Sequence, residues 1–226
     1  MKANSVRVTS KNFRMIAGKP LFRWMLDTLL ETPIIDQVVI NTDARAILSE
    51  NGLNDGDADG RVVMRDRNPE ICGDFVSMNL VLGDDIANAP SDHYLMTHTT
   101  NPLLSAKTIA RMAEAYQKGL EAGDADSLFS VTRHQTRFYR PDGTAINHDP
   151  ANLLRTQDLP PYLEENSVCY FFTADSFSRT DARIGEKPIL FETPTLESVD
   201  IDEPADWFMA ESLLMRIAAG EALPES

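Results

Sequence analysis

The chain has 226 residues, of which 42% are hydrophobic, enough for one large domain with a buried core. Lys and Arg number 21 against 35 Asp and Glu, a formal charge of −14, which argues against nucleic acid as a partner because phosphate backbones need basic patches. Cys72 and Cys169 make neither a disulfide framework nor a zinc site, no apolar run reaches membrane-spanning length, and the charged opening is not a secretory signal; a soluble protein of the reducing cytoplasm is expected.

The basic residues are unevenly placed. Lys2, Arg7, Lys11, Arg14, Lys19 and Arg23 crowd the N-terminus against the acidic background, which suits either a site for a small anion or a solvated basic face. Behind Gly18-Lys19-Pro20-Leu21, residues 22–30 repeat apolar positions at helical spacing, with Pro20 suited to a first turn. Residues 36–41 (DQVVIN) are a β-branched run read as a buried strand ending at Thr42-Asp43, residues 44–51 a helix and residues 62–64 a short strand. Residues 78–87 are read as a helix, and 94–96 as a strand ending in Thr97-His98-Thr99-Thr100-Asn101-Pro102. Residues 108–120 are a further helix and 127–132 a further strand.

Strands alternating with helices imply βαβ units and a largely parallel sheet covered on both faces, within a single domain over 1–226. Such sheets take ligands at the carboxyl ends of their strands, where Asp43, residues 98–101 and Asp202 would gather. Residues 134–165 interrupt the rhythm. They are polar, carry Pro141, Pro150, Pro160 and Pro161, and include the turn signal Pro141-Asp142-Gly143, so they are read as an inserted hairpin or arm. Residues 168–173 resume a core strand and 205–219 close the chain as a helix.

The segment Ser198-Val199-Asp200-Ile201-Asp202 places two acids one residue apart. In an extended chain Asp200 and Asp202 point to one face, with Val199 and Ile201 on the other. Two converging carboxylates suit Mg²⁺, which usually takes one or two of them and leaves the rest to water and phosphate. On spacing alone the pair reads first as the solvated face of an amphipathic strand.

Five segments in order shift that balance. Lys2-Ala3-Asn4-Ser5-Val6-Arg7-Val8-Thr9-Ser10-Lys11-Asn12 with Ala17-Gly18-Lys19-Pro20-Leu21 resembles the opening signature of acylneuraminate cytidylyltransferases. Val38-Val39-Ile40-Asn41-Thr42-Asp43 is similar to that family's second strand, and Arg67-Asn68-Pro69-Glu70-Ile71-Cys72-Gly73-Asp74 to its R-P-x-x-L-x-x-D segment. Thr99-Thr100-Asn101-Pro102-Leu103 is similar to P-T-S-P-L, and residues 198–202 to S-[IV]-D-[IT]-D.

The resemblance implies a Rossmann-like three-layer α/β nucleotidyltransferase that passes CMP from CTP to a sugar acid. Nine-carbon acids of the sialic, legionaminic or pseudaminic type come first, and an eight-carbon 3-deoxyoctulosonic acid is the alternative. It implies Lys2, Ala3, Asn4, Ser5, Lys11 and Asn12 around the triphosphate, with Arg67, Asp74 and His98 beside the nucleotide. Arg67 and Asp74 read almost equally as a surface pair, and His98 as a structural histidine. Thr100, Asn101 and Asn166 would lie by the sugar, and Lys11, Asp200 and Asp202 would act on phosphate, the two acids through Mg²⁺. A homodimer is implied, with the 134–165 arm reaching the partner.

Departures from the pattern accompany the matches. The family opens with a buried apolar strand ahead of the position of Met1, so coding sequence upstream of Met1 and an opened core without it are expected. Lys2-Ala3-Asn4-Ser5-Val6 stands where many members have Arg-Gly-Gly-Ser-Lys, Thr9-Ser10 replaces a Pro-containing pair, and His98 and Leu104 replace Gln and Arg. These changes leave room for a catalytically silent relative that binds nucleotide or sugar acid, or for a different nucleotide base.

Overall fold

The computed structural model describes residues 1–3, 8–222 and 224. The first two strands form a short hairpin: β1 (Met15–Ile16) pairs antiparallel with β2 (Lys19–Pro20). Its two turn residues, Ala17 and Gly18, both have positive φ, at 46° and 94°, the conformation that matches strand twist in a two-residue loop. Pro20 therefore ends a strand and the helix begins one residue later. In α1 (Leu21–Glu31), Leu21, Phe22, Met25, Leu26 and Leu29 are buried, a one-sided spacing that fixes the helix against the sheet.

There follow β3 (Val38–Thr42), α2 (Arg45–Glu50), β4 (Val62–Asp66), α3 (Met78–Asn88), β5 (His93–Thr97), α4 (Ala106–Ala122) and β6 (Ser127–His134). The chain closes with β7 (Tyr162–Thr173), α5 (Ala174–Thr180), β8 (Pro188–Glu192) and α6 (Pro204–Ala218). Residues of β7 alternate between two cores, as strand geometry requires. Cys169 and Phe171 pack with Phe22, Ile109 and Met112 of α1 and α4, while Tyr170 and Phe172 pack with Leu82 of α3 and Phe177 of α5. Helices thus cover both faces.

The sheet is mixed rather than largely parallel. Its order is β5-β7-β6-β8, with β7 antiparallel to both neighbours and β8 parallel to β6. The cause is the arm: β6 leaves the sheet and returns as β7, so these two strands form one long hairpin, still paired at His134↔Tyr162. The chain leaves the sheet after His134 and re-enters it at Tyr162. β7, however, starts at Tyr162 rather than 168, its first four residues exposed.

β3 and β4 form a separate parallel pair. Each of β3 and β5 is paired on one side only, and the open edges face a common cavity of about 880 Å³ lined by Val39, Leu95, Met25 and Val81.

One carboxylate sets the entry of β8. Asp126 accepts hydrogen bonds from the backbone N–H of Glu186 (3.0 Å) and Lys187 (2.9 Å), from Ser127 (3.2 Å) and from Arg179 (3.1 Å). A Cβ on Gly185 would collide with it. Burial alone would raise this carboxyl, but the donors outweigh it and hold the group below its ordinary value. Its contribution is therefore complete above the unfolded-state pKa, about 3.9, and is lost as pH falls through the lower folded value. Asp126→Asn should cost about 1.5–3 kcal/mol at pH 7. Denaturant titrations at pH 7 and pH 3 check this, and an equal deficit at both would contradict it.

Candidate nucleotide and metal site

The carboxyl ends of β3, β4 and β5 converge with a single 3₁₀ turn, Lys11–Phe13, and with residues 199–202. The last segment is not a strand. A 3₁₀ turn, Thr195–Ser198, leads into an extended link whose Ile201 N–H donates to the Thr100 carbonyl (2.9 Å). The link ends at the cap of α6, where Asp206 accepts from the N–H groups of Asp202 (3.0 Å) and Glu203 (2.7 Å). Alternation nevertheless survives: Ile201 is fully buried, packed with Trp207, Leu21 and Leu103, while Asp200 and Asp202 remain partly exposed.

Burial raises the Asp200 carboxyl, and the Asp202 charge adds to it, while the Thr100 hydroxyl and Lys11 oppose. Asp200 Oδ1 is buried without a hydrogen-bond partner. Lys11, only 8% exposed, donates to the Ile201 carbonyl and stands 3.3 Å from Asp202 Oδ1. The two expected catalytic carboxylates and the expected cation thus share one location. An orphaned carboxylate oxygen beside a second carboxylate fits Mg²⁺, which needs no more protein ligands when phosphate supplies the rest. Among the described residues no cluster of three or more His, Cys, Asp and Glu is placed to hold a metal.

The remaining expected residues lie around this pair. Lys2 Nζ is 3.1 Å from Asp74, and the Lys2 carbonyl accepts from Asn12 (3.0 Å), whose Oδ1 takes the Thr99 hydroxyl (2.6 Å). Ala3 N–H donates to Asp43 (2.7 Å). Asn4, Ser5 and Arg7 lie outside the described residues. Arg67 does not pair with Asp74; it donates to the side chain (2.8 Å) and carbonyl (3.0 Å) of Asn41. Asn101 is fully buried, its amide donating to the Val199 carbonyl (3.4 Å) and its Oδ1 unpartnered. Asn166 hydrogen-bonds Ser130 and Thr132 of β6 and Thr193 beyond β8.

The basic N-terminus divides. Lys2 and Lys11 face the site, whereas Arg14 covers the Trp207 ring at 4.3 Å, Lys19 lies over Trp24 at 4.0 Å, and Arg23 donates to the Gly52 carbonyl. Those three cations fasten the hairpin and α1. A polar cluster that the sequence reading passed over lies behind Arg67. Asn41 donates to Asp84 (3.3 Å) and Asp85 (2.8 Å), and Arg65 bridges both acids. Its only sequence signal was the Asp84-Asp85 pair inside a helical pattern.

His98 is neutral at physiological pH. Burial first, then the Arg183 charge, the Met1 amine and Lys11 lower its pKa to about 4, and Asp202 only partly compensates. The unfolded chain therefore takes up the proton first, so stability falls as pH drops from about 6.5 toward 4. His98→Gln should lose less stability across that window than the parent chain, read by melting temperature against pH. Parallel curves would contradict the buried neutral imidazole.

Strand ends, a buried cation and paired carboxylates meet at one place in an α/β fold. A family model described as Cytidylyltransferase matches residues 1–213, and the chain belongs to that family. N-acylneuraminate cytidylyltransferase B of Danio rerio is 30% identical over 222 residues, covering 95% of this chain and 50% of that protein. The chain spans about half the length of the first curated relatives it matches. CMP-N,N'-diacetyllegionaminic acid synthase of Legionella pneumophila is 24% identical, over 94% of this chain and 93% of that one. In fold the chain resembles a CMP:2-keto-3-deoxy-manno-octonic acid synthetase solved with CTP, with TM-score 0.65, 15% identity, and coverage of 98% and 97%.

Proposed function

We propose that the protein transfers CMP from CTP to the anomeric hydroxyl of a nine-carbon 2-keto sugar acid of the sialic, legionaminic or pseudaminic type. The observation that carries this is the Lys11–Asp202–Asp200 grouping, with its unpartnered buried oxygen, at the strand ends of a cytidylyltransferase-family chain. Relatives whose whole length this chain nearly matches carry the names of legionaminic and pseudaminic acid enzymes, which favours those acceptors over an eight-carbon acid.

In the reaction the acceptor hydroxyl attacks the α-phosphorus, a new P–O bond forms, the α–β bridge bond breaks, and pyrophosphate leaves with the electron pair. Such transfer is mostly positioning and charge neutralisation. Lys11, together with Lys2, holds the triphosphate, with Ala3 beside them in the same loop; Asn12 ties the Lys2 backbone to Thr99 and so sets the loop's distance from β5. Arg67 and Asp74 border the nucleotide, and His98, held neutral, offers a hydrogen bond without charge. Thr100 and Asn101 brace the carboxylates at the acceptor side. Asp200 and Asp202 would hold Mg²⁺, which when bound neutralises phosphate oxygens and lowers the pKa of the acceptor hydroxyl.

A homodimer in a reducing cytoplasm completes the reading. Its support is the exposed apolar surface of the arm, including Tyr139, Leu153, Leu154 and Leu163. No helix among the described residues is long and apolar enough to cross a membrane. The test is pyrophosphate release with CTP, Mg²⁺ and a panel of eight- and nine-carbon sugar acids. Release with one nine-carbon acid, stopped by EDTA, supports the reading. CTP binding with silence across the panel favours a silent relative, and no CTP binding sinks the proposal.

A further inference from the structure

Two carboxylates held side by side repel each other, so the backbone that carries them has to be fixed from outside. Downstream, residues 199–202 are held by Lys11, by the Thr100 carbonyl and by the cap of α6. Upstream, a part-buried line of hydrogen bonds beginning at Asn166 runs to Ser198, the residue just ahead of this segment.

Both amide positions of Asn166 are engaged. Its Oδ1 accepts from the Ser130 hydroxyl (2.6 Å) and from the Val168 N–H (3.3 Å), and the backbone donor settles which end of the amide is oxygen. Its Nδ2 donates to Thr132 Oγ1 (3.0 Å) and Thr193 Oγ1 (2.8 Å). Thr193 is 4% exposed, and its Oγ1 lies 2.8 Å from Ser198 Oγ, which itself donates to the Pro194 carbonyl (2.9 Å). Asn166 donates to Thr193, Thr193 and Ser198 share one hydrogen bond in which either hydroxyl can donate, and Thr193 Oγ1 also lies 3.4 Å from the Val131 carbonyl. Linked hydrogen bonds of this kind polarise one another and stiffen the path they follow. Ser198 is two residues from Asp200. Every hydrogen-bonding position of Asn166 is thus taken up within the protein, leaving none for a sugar hydroxyl.

We propose that Thr193 is a positioning residue for the metal-binding carboxylates, transmitting the fixed geometry of Asn166 through Ser198 to Asp200 and Asp202. This inference rests on the Mg²⁺ reading above. Outer partners of this kind orient ligands they never share a bond with.

The test compares the parent chain with Thr193→Val, which keeps shape and loses the hydroxyl, and with Thr193→Ser, which keeps the hydroxyl. Each is titrated with Mn²⁺ in the presence of CTP, free Mn²⁺ being read by electron paramagnetic resonance. Thr193→Val should weaken Mn²⁺ binding about tenfold. It should also raise the Mg²⁺ needed for half-maximal pyrophosphate release, with metal-free CTP affinity unchanged and Thr193→Ser restoring parent behaviour. Ser198→Ala, at the other end of the hydroxyl pair, should weaken Mn²⁺ binding likewise and serves if Thr193→Val fails to fold. Parent-like Mn²⁺ binding by Thr193→Val together with a lowered melting temperature would make Thr193 merely structural and overturn the inference. Absence of Mn²⁺ binding by the parent chain would instead overturn the metal reading on which it rests.

Discussion

Asp202→Asn is expected to abolish most Mg²⁺-dependent turnover while leaving the fold intact. The substitution keeps the shape of the side chain and removes one of the two charges that would hold the metal. Lys11 keeps its bond to the Ile201 carbonyl, so its ammonium stays in place although its counter-charge is gone. Asp202 is 41% exposed at its side chain, so loss of the exposed part of that pair costs little stability. Asp200, no longer facing a like charge, should ionise more easily. The loss falls instead on stabilisation of the phosphate charge in the transition state, where removing one such group costs about 10²–10³ in kcat. Pyrophosphate release across a Mg²⁺ series, beside thermal melts, measures both sides. Full Mg²⁺-dependent turnover by this variant would remove Asp202 from the site.

Trp207→Ala is expected to have the largest effect on stability. The indole is 5% exposed, packs with Ile201, Leu21 and Leu103, and lies under the guanidinium of Arg14. Truncating a buried Trp costs about 3–5 kcal/mol in lost transfer energy and cavity, and the cation–π contact adds to it. The same cavity opens beneath Ile201, the residue that anchors the carboxylate pair. Turnover should therefore fall even at temperatures where the variant is fully folded. Trp207→Phe, which keeps a ring under Arg14, should lose less of both. A destabilised Trp207→Ala with parent kcat would uncouple this core from the site.

Legibility followed locality. The helix at 21–31 could be read because Phe22, Met25, Leu26 and Leu29 share one buried face, and local spacing records that directly. The first half of β7 could not, because Tyr162, Leu163, Glu164 and Glu165 are all exposed and carry no alternation. Neither α5 nor β8 was read. The helix is short, although its Thr173–Ser176 capping box was present in the sequence, and β8 is a five-residue strand held in place by Asp126 from elsewhere in the chain.

At the site, the spacing of Asp200 and Asp202 correctly indicated neighbouring carboxylates but gave the wrong backbone. A strand needs a partner ladder, and only long-range contacts decide whether one exists. Likewise Arg67 pairs with Asn41 rather than Asp74, and the low pKa of His98 comes from burial among distant groups. These are tertiary facts with no local signature.

The two cysteines differ in a way that has a practical outcome. Cys169 is fully buried in β7, and burial pushes its thiol well above the ordinary range. Cys72 is part-exposed in the loop that carries Asp74, the partner of Lys2. Because the thiolate is the reactive form, alkylating reagents should modify the native protein once, at Cys72. The unaltered chain thus carries its own single attachment point for a fluorophore, set beside the loop that would meet the nucleotide.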